Sequence, residues 1–176
     1  MAITAFTKIR PTLAILAVMG TSALAACSTL PTPSPSGPVS NAFNRADFVW
    51  STAAGRGGIQ GVISSSVEGT PLSCVGSVGL TPATRFTDAR MQTLYGSTSR
   101  ARLPADVVRA RTVSDPSEDY RDFVRSVACE NNRFTFDNLP DGRWYLILPA
   151  RAGTGPVQVL MQQVQIRNGR SVSLSL

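Results

Sequence analysis

The sequence predicts a mainly β fold, an antiparallel seven-stranded β-sandwich with a short helical insert, preceded by a signal peptide and a proline-rich tether. From Gly57 onward, short apolar segments alternate with polar residues at a period of two, which is the pattern of half-buried strands. Glycine, proline and asparagine separate these segments at close intervals. Several short strands with such turns are typical of two packed antiparallel sheets.

Residues 1–26 predict a lipoprotein signal peptide. Lys8 and Arg10 form a basic start, and residues 13–19 are apolar but too few to span a bilayer core of about 30 Å as a helix. Residues 24–27 then read Leu-Ala-Ala-Cys and resemble the lipobox of bacterial lipoproteins. The resemblance implies a diacylglycerol on the sulfur of Cys27, cleavage before it, and an N-acyl lipid on the new amine. The alternative is an ordinary secretory signal followed by a chance cysteine.

Acylation of Cys27 would fix the compartment. A buried CH₂ contributes about 0.8 kcal/mol and a single acyl chain holds a protein only reversibly, so two or more chains form a stable anchor. We therefore expect a membrane-attached protein of the cell envelope with no cofactor other than this covalent lipid. Ser28 follows the cysteine, where an Asp tends to retain enterobacterial lipoproteins at the inner membrane. The resemblance thus implies the outer membrane, facing the periplasm.

After the signal, the chain divides into a linker and one domain. Residues 27–45 comprise the acylated cysteine and a Pro/Ser-rich linker, with four prolines and no charge between residues 28 and 40. Such a composition favours an extended chain that buries no core. Residues 46–176 form the predicted domain.

Two strands, over residues 58–63 and 73–80, are predicted before an insert at about 83–118. In the insert, an N-cap residue followed by helix formers predicts a short helix over 88–95. Pro104 then opens a second short piece, either helical or extended. The insert is expected to stand apart from the strand rhythm of the domain.

Strand periodicity resumes after the insert. The apolar residues change phase near Gln162, which predicts a bulge or strand break. Asn168-Gly169 is the preferred pair for a two-residue hairpin turn because both residues tolerate positive φ. The strands predicted in this part lie at residues 120–129, 133–136, 144–148, 157–167 and 172–176.

With Cys27 assigned to the lipid, Cys74 and Cys129 remain. Alternation places Cys74 in phase with Leu80, and Cys129 in phase with Val127, so both cysteines point to an apolar core. An even pair in an exported protein predicts a disulfide, with free core thiols as the alternative. Two cysteines without a histidine do not make a zinc site, and we predict no metal.

Three segments carry a family resemblance: Gly61-Val62, residues 78–84, and residues 132–144, which read Asn-Arg-Phe-Thr-Phe-Asp-Asn-Leu-Pro-Asp-Gly-Arg-Trp. They resemble the carboxypeptidase regulatory-like, or transthyretin-like, β-sandwich family, over residues 57–176. The chain departs from the family pattern at Asn132, where Gly is usual, and at Trp144, where Tyr is usual. The resemblance implies an accessory or scaffolding domain.

The residue content excludes most common hydrolases. The chain contains no histidine, so Ser-His-Asp and Cys-His catalysis are excluded, and we predict no catalytic residue and no enzyme. An acidic group could form a carboxylate pair or a calcium site, but a solvated loop is the preferred interpretation. Its members are Asp115, Glu118, Asp119 and Asp122.

Charge and aromatic residues indicate the partners. Removal of residues 1–26 leaves 15 of the 17 basic residues, all arginine, against 11 acidic ones, and their scatter does not indicate nucleic acid. A solvated loop face is the preferred interpretation of four arginines of the insert, which could also contact anionic headgroups or an acidic partner: Arg100, Arg102, Arg109 and Arg111. Trp50, Tyr95 and Tyr145 are the candidates for stacking on a sugar, but a place in or over the core is the preferred interpretation of each.

We therefore predict a noncatalytic, membrane-anchored envelope lipoprotein that acts as a protein-interaction or scaffolding module. The alternative is a carbohydrate-binding module that engages a cell-surface polysaccharide or peptidoglycan.

Overall fold

The computed structural model describes residues 40–113 and 119–176. The predicted signal peptide, Cys27 and residues 28–39 of the linker lie outside the described residues. The described part is mainly β, as predicted, with ten strands and two α-helices. Its longest helix has 11 residues, and no helix in it combines the length and apolar character that a membrane crossing needs.

The strands form two sheets, which we call the narrow sheet and the wide sheet. In the narrow sheet, β1 (Gly57–Val62) lies between β7 (Arg133–Leu139), to which it is antiparallel, and β10 (Ser171–Ser175), to which it is parallel. The wide sheet contains β2 (Ser66–Val67), β3 (Thr70–Cys74), β4 (Ser77–Pro82), β5 (Arg100–Pro104), β6 (Arg125–Ala128), β8 (Gly142–Ala152) and β9 (Val157–Ile166). Strand β8 pairs with β3 and β4 along one edge and with β9 along the other, while β6 pairs with β4, β2 with β3, and β5 with β9.

One apolar cluster joins the two sheets. Ile59, Phe134 and Phe136 of the narrow sheet belong to the same cluster as Leu146 and Leu148 of the wide sheet, and all five are buried. Burial of a side chain of this size contributes about 1.5–3 kcal/mol, so this cluster is the main reason for the sheets to pack. The arrangement is that of a β-sandwich.

The strand count differs from the seven predicted. The strand predicted over 73–80 is divided into β3 and β4, because Gly76 adopts a φ of 79° and interrupts the pairing with β8. Strand β2 forms a hairpin with β3 through Glu68 and Gly69, and the insert contributes β5. Alternation along a single sequence does not show whether an apolar run continues through a glycine.

The turn at Asn168-Gly169 has the expected positive φ values, 57° and 63°, but it does not form a hairpin. The carboxylate of Asp141 accepts hydrogen bonds from the backbone N–H of Asn168 (2.6 Å) and of Gly169 (2.8 Å). The chain then crosses to the narrow sheet, where β10 lies parallel to β1. The prediction of a wholly antiparallel sandwich was wrong here, because Val172 and Leu174 pack against the core beside β1.

The bulge predicted near Gln162 is also absent, since β8 and β9 pair without a register shift from Gly142↔Ile166 to Arg151↔Val157. The change of apolar phase has another cause: both faces of β9 are covered. Leu160 and Val164 lie in the sandwich core, whereas Met161 packs in a second cluster on the opposite face.

Two helices contribute to that second cluster. Helix α1 (Arg85–Tyr95) begins three residues before the predicted start because Thr84 caps it. Thr84 Oγ1 accepts a hydrogen bond from Thr87 N–H (3.3 Å), and Thr87 Oγ1 accepts one from Thr84 N–H (2.8 Å), which satisfies two otherwise free donors. Helix α2 (Ala105–Ala110) directly follows β5. The buried members of the cluster are Ala83, Met91, Tyr95, Tyr145 and Met161.

The strand predicted over 120–129 is wrong in its first half. Residues Asp119–Phe123 form a 3-10 turn, and only Arg125–Ala128 form a strand. The turn places Phe123 in a separate aromatic cluster and not in the sandwich core that Val127 contacts. The buried members of this aromatic cluster are Phe48, Phe86, Tyr120 and Phe123.

The disulfide between Cys74 and Cys129 is confirmed, with Cα atoms 6.0 Å apart. It links the end of β3 to the residue after β6. Asn132 supports the same corner: its φ is 61°, a conformation that Asn tolerates, and its Oδ1 accepts a hydrogen bond from Cys74 N–H (3.0 Å).

The segment over residues 132–144, which carries the family resemblance, supplies core side chains and a glycine-specific turn. Phe134, Phe136 and Leu139 are buried in the sandwich core. Gly142 has a φ of 155°, and a Cβ there would lie 2.2 Å from the ring of Trp50. The position therefore requires glycine for its conformation and for the close approach of the ring.

Candidate functional site

The aromatic candidates for sugar stacking do not form an open platform. Tyr95 is 8% exposed and Tyr145 is fully buried, because both belong to the cluster between the helices and the wide sheet. Trp50 is half-buried and packs edge-on against Trp144, with ring centroids 5.0 Å apart. The alternative, that Tyr95 and Tyr145 contact a ligand at the surface, is therefore wrong, and their preferred interpretation as core residues is confirmed.

The polar end of Tyr145 is also occupied. Its hydroxyl donates to Asp88 Oδ1 (2.6 Å) and accepts from Gln163 Nε2 (3.1 Å). Burial, together with the hydrogen bond to the Asp88 carboxylate, raises the pKa of Tyr145 above its ordinary value. The hydroxyl therefore stays protonated and serves packing at neutral pH.

The acidic group does not make a metal site in the described residues. Asp115 and Glu118 lie outside them, and Asp122 pairs with Arg45 at 3.3 Å. In the described ranges, no three His, Cys, Asp or Glu side chains come together in a way that could hold a metal ion.

A cleft of about 400 Å³ opens between β5 of the wide sheet and the end of β10, and we call it the arginine cleft. Pairing of β5 with β9 places Arg100 opposite Gln162 and Arg102 opposite Leu160. Directly opposed residues project to the same face of a sheet, so both arginines share the face that carries the core residue Leu160. The residues lining the cleft are Ser65, Arg100, Ala101, Arg102, Leu160, Met161, Gln162, Ser175 and Leu176.

Alternation explains why charged side chains occupy this inner face. Ala101 lies between the two arginines and Leu103 follows them. Both pack in the second cluster, on the opposite face of the sheet, which the helices cover. Arg102 Nη1 donates to the carbonyl of Ser66 (3.2 Å). The Arg100 side chain makes no hydrogen bond or ion pair with the described residues, and no acidic side chain lines the cleft. Its electrostatic character is therefore positive.

Two polar atoms in the wall of the cleft have no partner. Ser65 Oγ and Gln162 Oε1 are buried and unbonded, and they are two of three such side-chain atoms in the described part of the chain. A buried polar group without a partner costs about 1–3 kcal/mol. The described part of the chain itself therefore leaves one polar atom without a hydrogen bond on each of these two side chains that line the cleft.

The backbone holds Ser65 in place at this wall. The N–H groups of Ser64 (2.7 Å) and Ser65 (2.8 Å) both donate to the carbonyl of Leu176, whose own N–H donates to the carbonyl of Val62 (3.0 Å). Leu160 and Leu176 add apolar surface to the lining. The cleft thus combines fixed polar groups with an apolar part, as small-molecule sites do.

Sequence reasoning singled out Arg100 and Arg102 but grouped them with Arg109 and Arg111. The structure separates them, since Arg111 Nη1 donates to the carbonyl of Leu94 (2.7 Å) and thereby ties α1 to the end of α2. Ser65 and Gln162 were missed as site residues. The sequence signal near Gln162 is the change of phase of the apolar residues in β9, but that change by itself predicts a bulge and not a site.

No protein-family model matches this sequence, and no curated protein shows significant similarity to it. A solved structure, that of a proposed carbohydrate-binding protein from Pseudomonas aeruginosa, is similar to this chain with a TM-score of 0.49 and 21% sequence identity. The match covers 76% of this chain and 97% of the other. Because the TM-score is below 0.5, this similarity has no weight in assigning a ligand here.

Proposed function

We propose that the protein is a noncatalytic, lipid-anchored lipoprotein of the cell envelope that binds a carbohydrate in the arginine cleft. The observation that carries the proposal is the presence of two buried, unbonded atoms, Ser65 Oγ and Gln162 Oε1, in one cleft. An amide oxygen accepts only, whereas a serine hydroxyl both donates and accepts. Sugar hydroxyl groups both donate and accept, so they can complement a hydroxyl and an amide oxygen alike.

The size of the cleft supports a small polar ligand. Its volume of about 400 Å³ falls within the range of about 300–1,000 Å³ that is usual for small-molecule sites. Leu160 and Leu176 offer an apolar surface to the C–H face of a sugar ring, a role that exposed aromatic residues play in other glycan sites. The cleft therefore does not depend on exposed aromatic residues.

The anchor is a second part of the proposal. The signal and the Leu-Ala-Ala-Cys segment favour acylation of Cys27 and residence at the outer membrane, with the domain held on the linker. Cys27→Ser should abolish labelling of the protein by a clickable fatty acid in growing cells, and Cys74→Ser should not. Labelling that persists in Cys27→Ser would contradict the anchor.

We also propose that the domain belongs to the transthyretin-like β-sandwich family. In its favour, the buried Phe134, Phe136 and Leu139 and the glycine-specific Gly142 correspond to the segment that carries the resemblance. Such domains are accessory modules in the family, and a fold by itself does not assign a task.

Carbohydrate binding can be tested with the purified lipoprotein in a neutral detergent. We expect it to bind members of an array of bacterial polysaccharide and peptidoglycan fragments, and Gln162→Leu to weaken that binding. Gln165→Leu is the matched control, because Gln165 is exposed and lies on the other face of β9. Binding that is unchanged in Gln162→Leu would place the glycan elsewhere, and absence of binding to the whole array would contradict the function.

A protein partner is the second candidate function. In the described residues, β5 pairs only with β9 and β10 only with β1, so each leaves one strand edge without a strand partner. A partner could add a strand to either edge. Crosslinking in the native membrane followed by identification of the attached species separates the two functions: a protein attached through β5 or β10 supports this candidate, and a glycan alone contradicts it.

A further inference from the structure

We infer that the ligand of the arginine cleft is an acidic saccharide, with its carboxylate held by Arg100 and Arg102 and its hydroxyl groups by Gln162 and Ser65. This inference rests on the proposed carbohydrate function and names the class of sugar. The two arginines are at positions i and i+2 of β5, so they share one face with Cα atoms about 7 Å apart. Two guanidinium groups at this spacing can converge on one carboxylate.

The charge of the cleft favours an anion. A guanidinium group has five N–H donors and no acceptor, and in the described residues only one of these donors, from Arg102 to Ser66, is used in the cleft. With no acidic side chain in the lining, the side chains of the cleft supply no counter-charge to either guanidinium. A neutral sugar would satisfy Gln162 and Ser65 and leave both charges without an anion.

A bare anion is not sufficient either. Gln162 Oε1 accepts hydrogen bonds and cannot donate them, so a simple carboxylate would leave it unbonded next to a second acceptor. The lining therefore favours a ligand that places an anionic acceptor near Arg100 and Arg102 and a hydrogen-bond donor near Gln162. A sugar acid carries both on one ring.

Matched pairs of ligands test this inference. We compare oligomers of galacturonic, glucuronic and mannuronic acid with their methyl esters, which keep every ring hydroxyl and lose the charge. Binding to the purified lipoprotein in neutral detergent is measured by calorimetry. We expect at least one acid to bind about tenfold or more tightly than its ester, and its affinity to fall as salt is added.

Variants assign the two parts of the site. Arg100→Gln should remove most of the preference for the acid while leaving the affinity for the ester unchanged, and Arg100→Lys should give an intermediate preference because it keeps the charge without the planar fork. Gln162→Leu should weaken the acid and the ester by the same factor. Arg133→Gln, on an exposed strand residue of the narrow sheet, is the matched control and should change neither. Retention of the Cys74–Cys129 disulfide and of the thermal transition shows that each variant is folded.

The outcomes separate the two proposals. If acids and esters bind equally and Gln162→Leu weakens both, the acidic ligand is refuted and carbohydrate binding stands. If no sugar in the panel binds, both are refuted. A further outcome is that glycerol phosphate displaces the acid at a lower concentration than the neutral sugars do and binds more tightly than every acid in the panel. If it does both, the cleft binds an anionic lipid headgroup and the saccharide is excluded.

Discussion

The two edges of the wide sheet each carry an arginine that faces the sandwich interior, and they differ in what surrounds it. At the β6 edge, Arg125 Nη2 donates to the carbonyl of Ser51 (2.7 Å), and Arg125 Cζ lies 5.5 Å from the ring centroid of Trp144. At the β5 edge, Arg100 has no such partner in the described residues. Arg125 thus has a structural role, because the chain supplies a carbonyl and an aromatic ring to its guanidinium group. Arg100 lacks such partners in the part of the chain that the structure describes, so its guanidinium group can contact a ligand.

The largest expected effect comes from removing the disulfide next to the β6 edge of the wide sheet. A disulfide with a sequence separation of 55 contributes about 4 kcal/mol by restricting the unfolded chain. Replacing Cys74 and Cys129 together by alanine should lower the free energy of unfolding in urea by about that amount, with glycan affinity at the β5 edge unchanged in the fraction that remains folded. A loss of affinity in that folded fraction would show that the two edges are coupled.

The comparison of the arginines themselves predicts the next effect. Arg125→Ala should lower the free energy of unfolding by about 2 kcal/mol, because it leaves the Ser51 carbonyl without its charged donor. Arg100→Ala should change it by less than about 0.5 kcal/mol, as is usual for a side chain without specific contacts. Chemical denaturation measures both. Equal losses would mean that Arg100 also has a structural role.

Replacement of the unbonded amide should have the opposite sign. Gln162→Leu removes a buried acceptor that has no partner, so we expect the free energy of unfolding to rise by about 1 kcal/mol. The same variant should bind glycan more weakly, which would mark the residue as one kept for a ligand at a cost in stability. A destabilised Gln162→Leu protein would point instead to a packing role.

The smallest effect concerns the helical side of the wide sheet. Burial raises the pKa of Tyr95 to about 12, while an unfolded tyrosine titrates near 10. The folded state therefore favours the protonated phenol, and its contribution is constant below about pH 10 and declines as the pH rises toward 12. At pH 11 we expect a loss of about 1 kcal/mol from this residue, so Tyr95→Phe should unfold with a weaker alkaline dependence. An unchanged dependence would contradict the assignment.

Features of the fold that depend on neighbouring residues were predictable from the sequence. The alternation of Phe134 and Phe136, the conformational demand at Gly142 and the pairing of Cys74 with Cys129 all follow from residue type and local phase. The phase change in β9 was misread because an apolar residue on either face looks the same in one sequence. Only the helices, packed against Met161, show that the outer face of this strand is covered.

The candidate site was only half predictable, for a related reason. Arg100 and Arg102 are visible as charges in the sequence, but the face they occupy depends on the register of β5 against β9. Ser65 reaches the same cleft through hydrogen bonds of its loop to Leu176, more than one hundred residues away in the sequence. No local pattern encodes such a meeting.

The parallel pairing of β1 with β10 bears on the order in which the chain can fold. Gly58 pairs with Ser171, so β1, the central strand of the narrow sheet, completes its pairing only when β10 is in place. Contacts between segments so distant close slowly, because the entropy of the long loop is lost before the contact forms. The sandwich and its cleft are therefore complete only after strand β10 has joined β1.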